Sequence, residues 1–364
     1  MVAATSSSPL ACPTSFKQRA LRGAVADPLR SSSQRSLGGR HQIRTIVGEG
    51  GTRHKLNTGA EIPALGIGTW RDADKQEQTV LTALKAGYRH IDTARIYGTE
   101  PAVASAIEAS GVPRSSIFLT TKLWNNSHAP SDVEPALDAS LQDLRTPYVD
   151  LYLMHWPSPL QSGPSLRPTD ARGAMIPGAA DYVDTWRAME ALLRTGKARA
   201  IGVSNLAESE LRRLLRAARV APAVHQLELH PWLQQRRFVT LHRRLGIHVT
   251  QYSPFGNANP AYAAATEELS PGERLIEDPV LVEIGRKYGK SGAQVALAWG
   301  IRQGRSVIPK SVSPERVRHN LEGDFELAEE DLRRIDGLDR ALRFNDPSAR
   351  FRWNYYADLE GKRY

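Results

Sequence analysis

The chain has 364 residues, 41% of them hydrophobic, enough for one large domain or two ordinary ones, and no apolar run is long enough to span a membrane, so a soluble protein is expected. The net charge of +9 is uneven: residues 1–51 hold Lys17 and six arginines against Asp27 and Glu49, a balance of +5, which leaves +4 over the other 313. That dilution, without a basic helix or a basic-aromatic stripe, argues against a nucleic-acid partner, and the single cysteine, Cys12, leaves the body no disulfide, thiolate nucleophile or Cys-ligated metal.

Residues 1–50 are rich in Ser, Ala and Arg and have no acidic residue before Asp27. They read as an organellar transit peptide, or equally as a disordered extension or a misassigned start. Lacking cysteine, the body suits a reducing compartment: the cytoplasm, or an organelle if the extension is a transit peptide. The folded domain is placed at 51–364.

A short hairpin is expected over 55–63, with its turn at Thr58-Gly59. Strands then follow at 64–69, 90–94, 117–123, 149–155, 200–205, 224–230, 248–254 and 306–311. Amphipathic helical stretches separate them, among them 74–86, 131–144, 183–194, 208–218, 279–288 with 291–302, and 314–321. Eight strands alternating with helices predict an α/β fold, a (β/α)8 TIM barrel with an N-terminal β-hairpin and long active-site loops. A doubly wound nucleotide-binding sheet is disfavoured, because Gly66-Ile-Gly68 is followed by Arg71 where a third glycine belongs.

A barrel keeps its chemistry at the C-terminal ends of its strands. There the sequence places Asp92, with Tyr97 in the following loop, Lys122 on the next strand and His155 on the one after. Any one of these has an ordinary structural reading, but four on consecutive strands suggest one site. A tyrosine hydroxyl titrates near pH 10 and is a poor acid at neutrality. A nearby ammonium should lower it, Asp92 would keep Lys122 charged and aimed, and His155 could donate a hydrogen bond to a substrate oxygen. The combination describes a general acid for carbonyl reduction, with Tyr97 as donor. No His-x-His pair at a strand end supports a metal, so none is expected.

Several segments together resemble the aldo-keto reductase family: Gly87-Tyr-Arg-His-Ile-Asp-Thr-Ala-Arg-Ile-Tyr97, Thr121-Lys-Leu-Trp124, Leu141-Gln-Asp-Leu-Arg-Thr-Pro-Tyr-Val-Asp-Leu-Tyr-Leu-Met-His-Trp-Pro157, Ile201-Gly-Val-Ser-Asn205 and Ile308-Pro-Lys-Ser311. The resemblance runs from Lys55 to about Asn345 and implies an NADPH-dependent barrel oxidoreductase with Tyr97, Lys122, Asp92 and His155 as its catalytic set. It further places the nicotinamide amide on Ser204, Asn205 and Gln226 and the ring on Tyr252. Ser253 and Phe255 open the long loop that runs through Pro260 and a polar stretch to the helix near Pro279, which the resemblance implies is a lid over the cofactor. Lys310, Ser311 and Arg316 are implied to take the 2′-phosphate, which favours NADPH/NADP+ over NADH, and Asn320 the adenine edge. Thr99 stands where relatives commonly have Asn, His225 where many have Asn, and His319 where an acidic residue is frequent.

Trp70, Trp124, His155 and Trp156 are expected to line the substrate pocket, with the tail from Phe344 to Tyr356 closing one side. The run 225–235 and the ending Leu342-Arg-Phe-Asn345 look most like fungal-type aldehyde reductases and glycerol dehydrogenases, so a small aliphatic or hydroxylated aldehyde is the expected partner of a monomer. The alternative is an NADPH-binding sensor on the same fold with little turnover, which the intact set of four argues against.

Overall fold

The computed structural model describes residues 51–258 and 272–361. The extension at 1–50 and the part of the expected lid at 259–271 lie outside the described residues. Two short strands, β1 (Arg53–Lys55) and β2 (Glu61–Pro63), form the antiparallel hairpin. Gly59, at φ +87°, supplies the left-handed residue the turn requires. Leu56 and Ile62 pack against Phe118, Leu151, Leu153 and Val224, so the hairpin closes one end of the barrel interior.

The barrel strands are β3 (Ile67–Gly68), β4 (His90–Asp92), β5 (Phe118–Leu123), β6 (Leu151–Met154), β7 (Ile201–Ser204), β8 (Val224–Glu228), β9 (His248–Tyr252) and β10 (Ser306–Val307). They pair in parallel in sequence order. The ring closes where Leu65 bridges Val307, with Gly66 N–H donating to Val307 O at 2.9 Å and Val307 N–H to Ala64 O at 2.7 Å. The first and last strands are shorter than the pattern predicts, because past this seam each pairs through single bonds instead of a continuous ladder.

Between strands run α1 (Gln76–Ala86), α2 (Glu100–Ser110), α3 (Pro130–Asp143), α4 (Tyr182–Leu192), α5 (Glu208–Ala217), α6 (Arg236–Leu245), α7 (Pro279–Tyr288) and α8 (Gly292–Arg302). After β10 come α9 (Pro314–Leu321), α10 (Glu329–Asp336) and a single turn, α11 (Ser348–Phe351). Their ends carry local signals. Asp278 caps α7 through Val280 N–H, with Pro279 in its first turn and Gly289 at φ +63° ending it. Ser291 and Gln294 form a capping box on α8. The main core lies between strands and helices, and includes Ile91, Leu119, Leu123, Leu137, Trp186 and Leu211. Among the described residues no helix is long and apolar enough to cross a membrane.

Candidate active site

β4 and β5 run side by side with Asp92 opposite Thr120, which sets Lys122 two residues further along, on the same face as Asp92. Both side chains are buried, Lys122 completely. Lys122 Nζ lies 2.5 Å from Asp92 Oδ1 and donates to Thr93 O at 2.8 Å. Gln226 Nε2, from β8, donates to Asp92 Oδ2 at 2.7 Å, so both carboxylate oxygens have partners. A buried charge needs such compensation.

Behind this pair, Thr99 Oγ1 lies 3.1 Å from Thr69 Oγ1 and 3.0 Å from Thr93 Oγ1, a buried hydroxyl chain in which threonine fits well. Tyr97 closes a 3-10 turn after β4, and Lys122 Nζ lies 5.0 Å from its ring centroid. His155, just past β6, meets Tyr97 edge-on at 5.6 Å and Trp124 edge-on at 5.2 Å. Asp92, Tyr97, Lys122 and His155 thus form one constellation at the strand ends, as expected.

One expectation needs correction. Tyr97 as a residue is only partly buried, but its phenol is enclosed, and burial together with the negative charge of Asp92 raises the hydroxyl well above its ordinary value. Lys122, an ammonium already matched by Asp92 at 2.5 Å, does not reverse that rise. Burial lowers Lys122 from its ordinary value, against the pull of Asp92. His155 is pushed well below its ordinary value by burial and by Lys122, so its imidazole is neutral. The site therefore holds a protonated phenol, a neutral imidazole and an ion pair.

Ser204 ends β7 with Asn205 just past it, and Tyr252 ends β9. Asn205, at φ +63°, turns its amide into a tight network. Its Nδ2 donates to His155 O at 3.0 Å and Ser204 Oγ at 2.9 Å, and its Oδ1 accepts from Tyr252 at 2.8 Å. Ser204 Oγ donates to Gln226 O at 3.0 Å. Asn205 thus links Ser204 and Tyr252, while the Gln226 side chain reaches the ion pair through Asp92. Ser253 follows at φ +50°, and Phe255 packs on the main core.

Past β10, the neighbour of β9, Lys310 pairs with Asp72, and Arg316 Nε donates to Ser311 Oγ at 3.4 Å. Ser313 caps α9 there, and Asn320 is buried at its far end. His319 is exposed, with its carbonyl taken by Gln294.

Trp124 and Trp156 share a cluster with Phe351, Tyr355 and Tyr356. Trp70 stands apart from it, packing on the group that includes Trp232 and Phe344. The β6–α4 loop, residues 155–181, holds this wall in place: Trp124 Nε1 donates to Leu166 O at 2.5 Å and Asn126 Nδ2 to Gly163 O at 2.8 Å. Sequence reasoning did not find that role, nor the contacts of Tyr355 and Tyr356, since no local pattern announces a long-range contact. Among the described residues no group of three or more His, Cys, Asp or Glu is arranged to hold a metal ion.

A closed parallel barrel with an Asp–Lys–Tyr–His group at its strand ends defines a class of barrel oxidoreductase. The match is direct: the chain belongs to the Aldo/keto reductase family, whose model covers residues 64–340. It is 47% identical over 293 residues, 80% of this chain and 89% of the relative, to an uncharacterised oxidoreductase of Schizosaccharomyces pombe. It is 40% identical over 299 residues, 80% of this chain and 90% of the relative, to aldo-keto reductase family 1 member A1 of Sus scrofa. The structure of the aldose reductase from Schistosoma japonicum superposes with a TM-score of 0.76 at 32% identity, covering 84% of this chain and 98% of that one.

Proposed function

We propose that the protein is an NADPH-dependent reductase of aldehydes and ketones, reversible with NADP+, in which Tyr97 is the proton donor. The observation that carries this reading is the buried Lys122–Asp92 pair beneath the Tyr97 ring, with the His155 imidazole against the same ring. The donor set suits the cofactor: two primary amides and a hydroxyl for a carboxamide, the Tyr252 face for the ring, and Lys310, Ser311 and Arg316 at the start of α9 for a phosphate. NADPH, when bound, supplies a hydride to the carbonyl carbon.

The protein's own residues supply the rest. His155, neutral, donates a hydrogen bond that orients the carbonyl oxygen. Tyr97 holds the proton that this oxygen receives as it becomes an alkoxide, a stronger base than phenolate. Transfer therefore stays favourable even from a phenol whose acidity burial has weakened. Lys122 faces the phenolate as it forms, and Asp92 holds Lys122 in place.

Trp70, Trp124 and Trp156 are assigned to the substrate walls, Ser253 and Phe255 to the lid, and Asn320 to the adenine. The partner is a small carbonyl compound, a small aliphatic or hydroxylated aldehyde first, and the protein acts as a cytoplasmic monomer in which residues 51–364 form the catalytic domain. Residues 1–50 would redirect it to an organelle if they act as a transit peptide.

The test is NADPH oxidation over a panel of aldehydes and ketones. Tyr97→Phe is expected to lower turnover by about 100-fold or more, the range of a lost general acid, while binding NADPH with little change. Full activity in Tyr97→Phe would remove Tyr97 from the mechanism. Tight NADPH binding with no turnover of any carbonyl would favour a sensor.

A further inference from the structure

Asn205 Oδ1 has two lone pairs, and both are occupied: by Tyr252 Oη at 2.8 Å and by Tyr356 Oη, from the C-terminal segment, at 3.1 Å. Tyr356 is wholly buried, with the Arg343 guanidinium 3.8 Å over its ring. Asn345 Nδ2 adds a bond of 3.0 Å to Tyr252 Oη. Beside it, Tyr355 Oη is bonded to Ser158 Oγ and its ring packs on Trp156 at 4.7 Å, while Phe351 stacks on Trp156 at 6.3 Å. The segment thus covers the aromatic wall and takes the acceptor that a carboxamide would need.

We propose that residues 352–361 are an internal occupant of the nicotinamide end of the site, and that cofactor binding requires Tyr356 to leave Asn205. The proposal rests on the reading of Asn205 and Tyr252 as cofactor residues. The segment has a fixed root and a releasable end. At the root, the buried Glu228 carboxylate accepts the N–H groups of Phe344 at 2.8 Å and Asn345 at 2.9 Å, with Arg343 buried alongside.

Around the buried Tyr356, the end is held by a 2.9 Å bond from Arg343 to Glu360 O and by contacts nearer the surface. The Asp358 carboxylate accepts Glu208 N–H at 2.9 Å and Ser209 N–H at 2.7 Å, at the N-terminus of α5. Trp353 Nε1 donates to Glu210 at 2.7 Å. Arg352 and Tyr356 stand at φ +51° and +57°, a conformation side-chain-bearing residues seldom adopt, so contacts and not local preference hold this path. A competitor of this kind lowers apparent cofactor affinity by the fraction of molecules in which it is released.

The experiment is NADP+ binding to the full chain, followed by tryptophan fluorescence in equilibrium and stopped-flow form, for the wild type, Tyr356→Phe and Asp358→Ala. Circular dichroism checks that each variant is folded. Tyr356→Phe keeps the ring and removes the hydroxyl's bond to Asn205 together with its longer 3.5 Å contact to Tyr252, and Asp358→Ala frees the surface clamp. Tyr356→Phe is expected to bind NADP+ about fivefold more tightly, the value of one hydrogen bond, and Asp358→Ala, which loses two, by at least as much. In the wild type the observed binding rate should level off with rising NADP+, at a plateau that both variants raise. Trypsin should cut after Arg350 or Arg352 faster when NADP+ is present. Wild-type affinity in both variants, or slower cutting with NADP+, overturns the proposal and leaves the site reading standing. No NADP+ or NADPH binding by any of the three chains overturns both.

Discussion

Lys122 is an ammonium with no exposed surface, and its compensation is one carboxylate oxygen at 2.5 Å and one carbonyl at 2.8 Å. Removing one member of such a pair leaves the other buried and unmatched, which costs about 3–5 kcal/mol. Lys122→Met is expected to lower unfolding stability by that amount, and adding Asp92→Asn to recover a substantial part of it. Equal stability of the single and double variants, measured by denaturant unfolding, would show that the two charges are not coupled. Asp92, Tyr97, Lys122 and His155 were legible in the sequence because barrel strand ends are where unlike polar residues converge. The sign of the Tyr97 shift was not, since it depends on how closely Asp92 has already matched the lysine. Position 225 shows the same limit. His225 Nε2 accepts Leu206 N–H at 3.1 Å and its Nδ1 lies 2.7 Å from His242 Nε2 on α6, a partner that only the fold supplies.

The start of α9 gathers Lys310, Ser311, the Ser313 cap and Arg316, although Lys310 and Arg316 lie six residues apart in the chain. Arg316 is exposed and its Nε bond to Ser311 is long at 3.4 Å, so it can turn to an incoming phosphate without breaking a strong contact. Arg316→Ala should raise the Michaelis constant for NADPH about tenfold, the range of one charge-assisted hydrogen bond, and leave that for NADH nearly unchanged. Equal effects on the two cofactors would move the 2′-phosphate elsewhere. The alternation of strand and helix was readable from periodicity and caps. Helices α2, α6, α10 and the single turn α11 stood outside the stretches singled out, and α6 hides its buried face in the spacing of Phe238 and His242, with arginines all around. The course of the tail was unreadable, because Asp358 caps a helix some 150 residues earlier in the chain.

Several histidines, buried or in the case of His248 half-buried, sit in the barrel in neutral form. Burial is the largest cause in each case: it lowers His90 and His242 to about 4 and His128 and His248 to about 3, and takes His225 well below its ordinary value. In the unfolded chain these groups titrate near 6.5, so below that pH the unfolded state takes up protons the folded state refuses. Stability is therefore fully present above pH 6.5 and is lost as pH falls toward 4. Each fully buried histidine contributes up to about 2 kcal/mol to the loss at pH 5. Urea midpoints should drop steeply from pH 7 to pH 5, and a flat profile would mean that these side chains reach water. The seam between Gly66 and Val307 carries a different consequence, one of timing. A ribosome must make nearly the whole barrel before the first strand can find its last neighbour. Through most of synthesis the nascent sheet has a bare edge, the kind that pairs with other chains. Weakening the seam should therefore show first as poor yield in the cell, with the surviving molecules turning over at the normal rate.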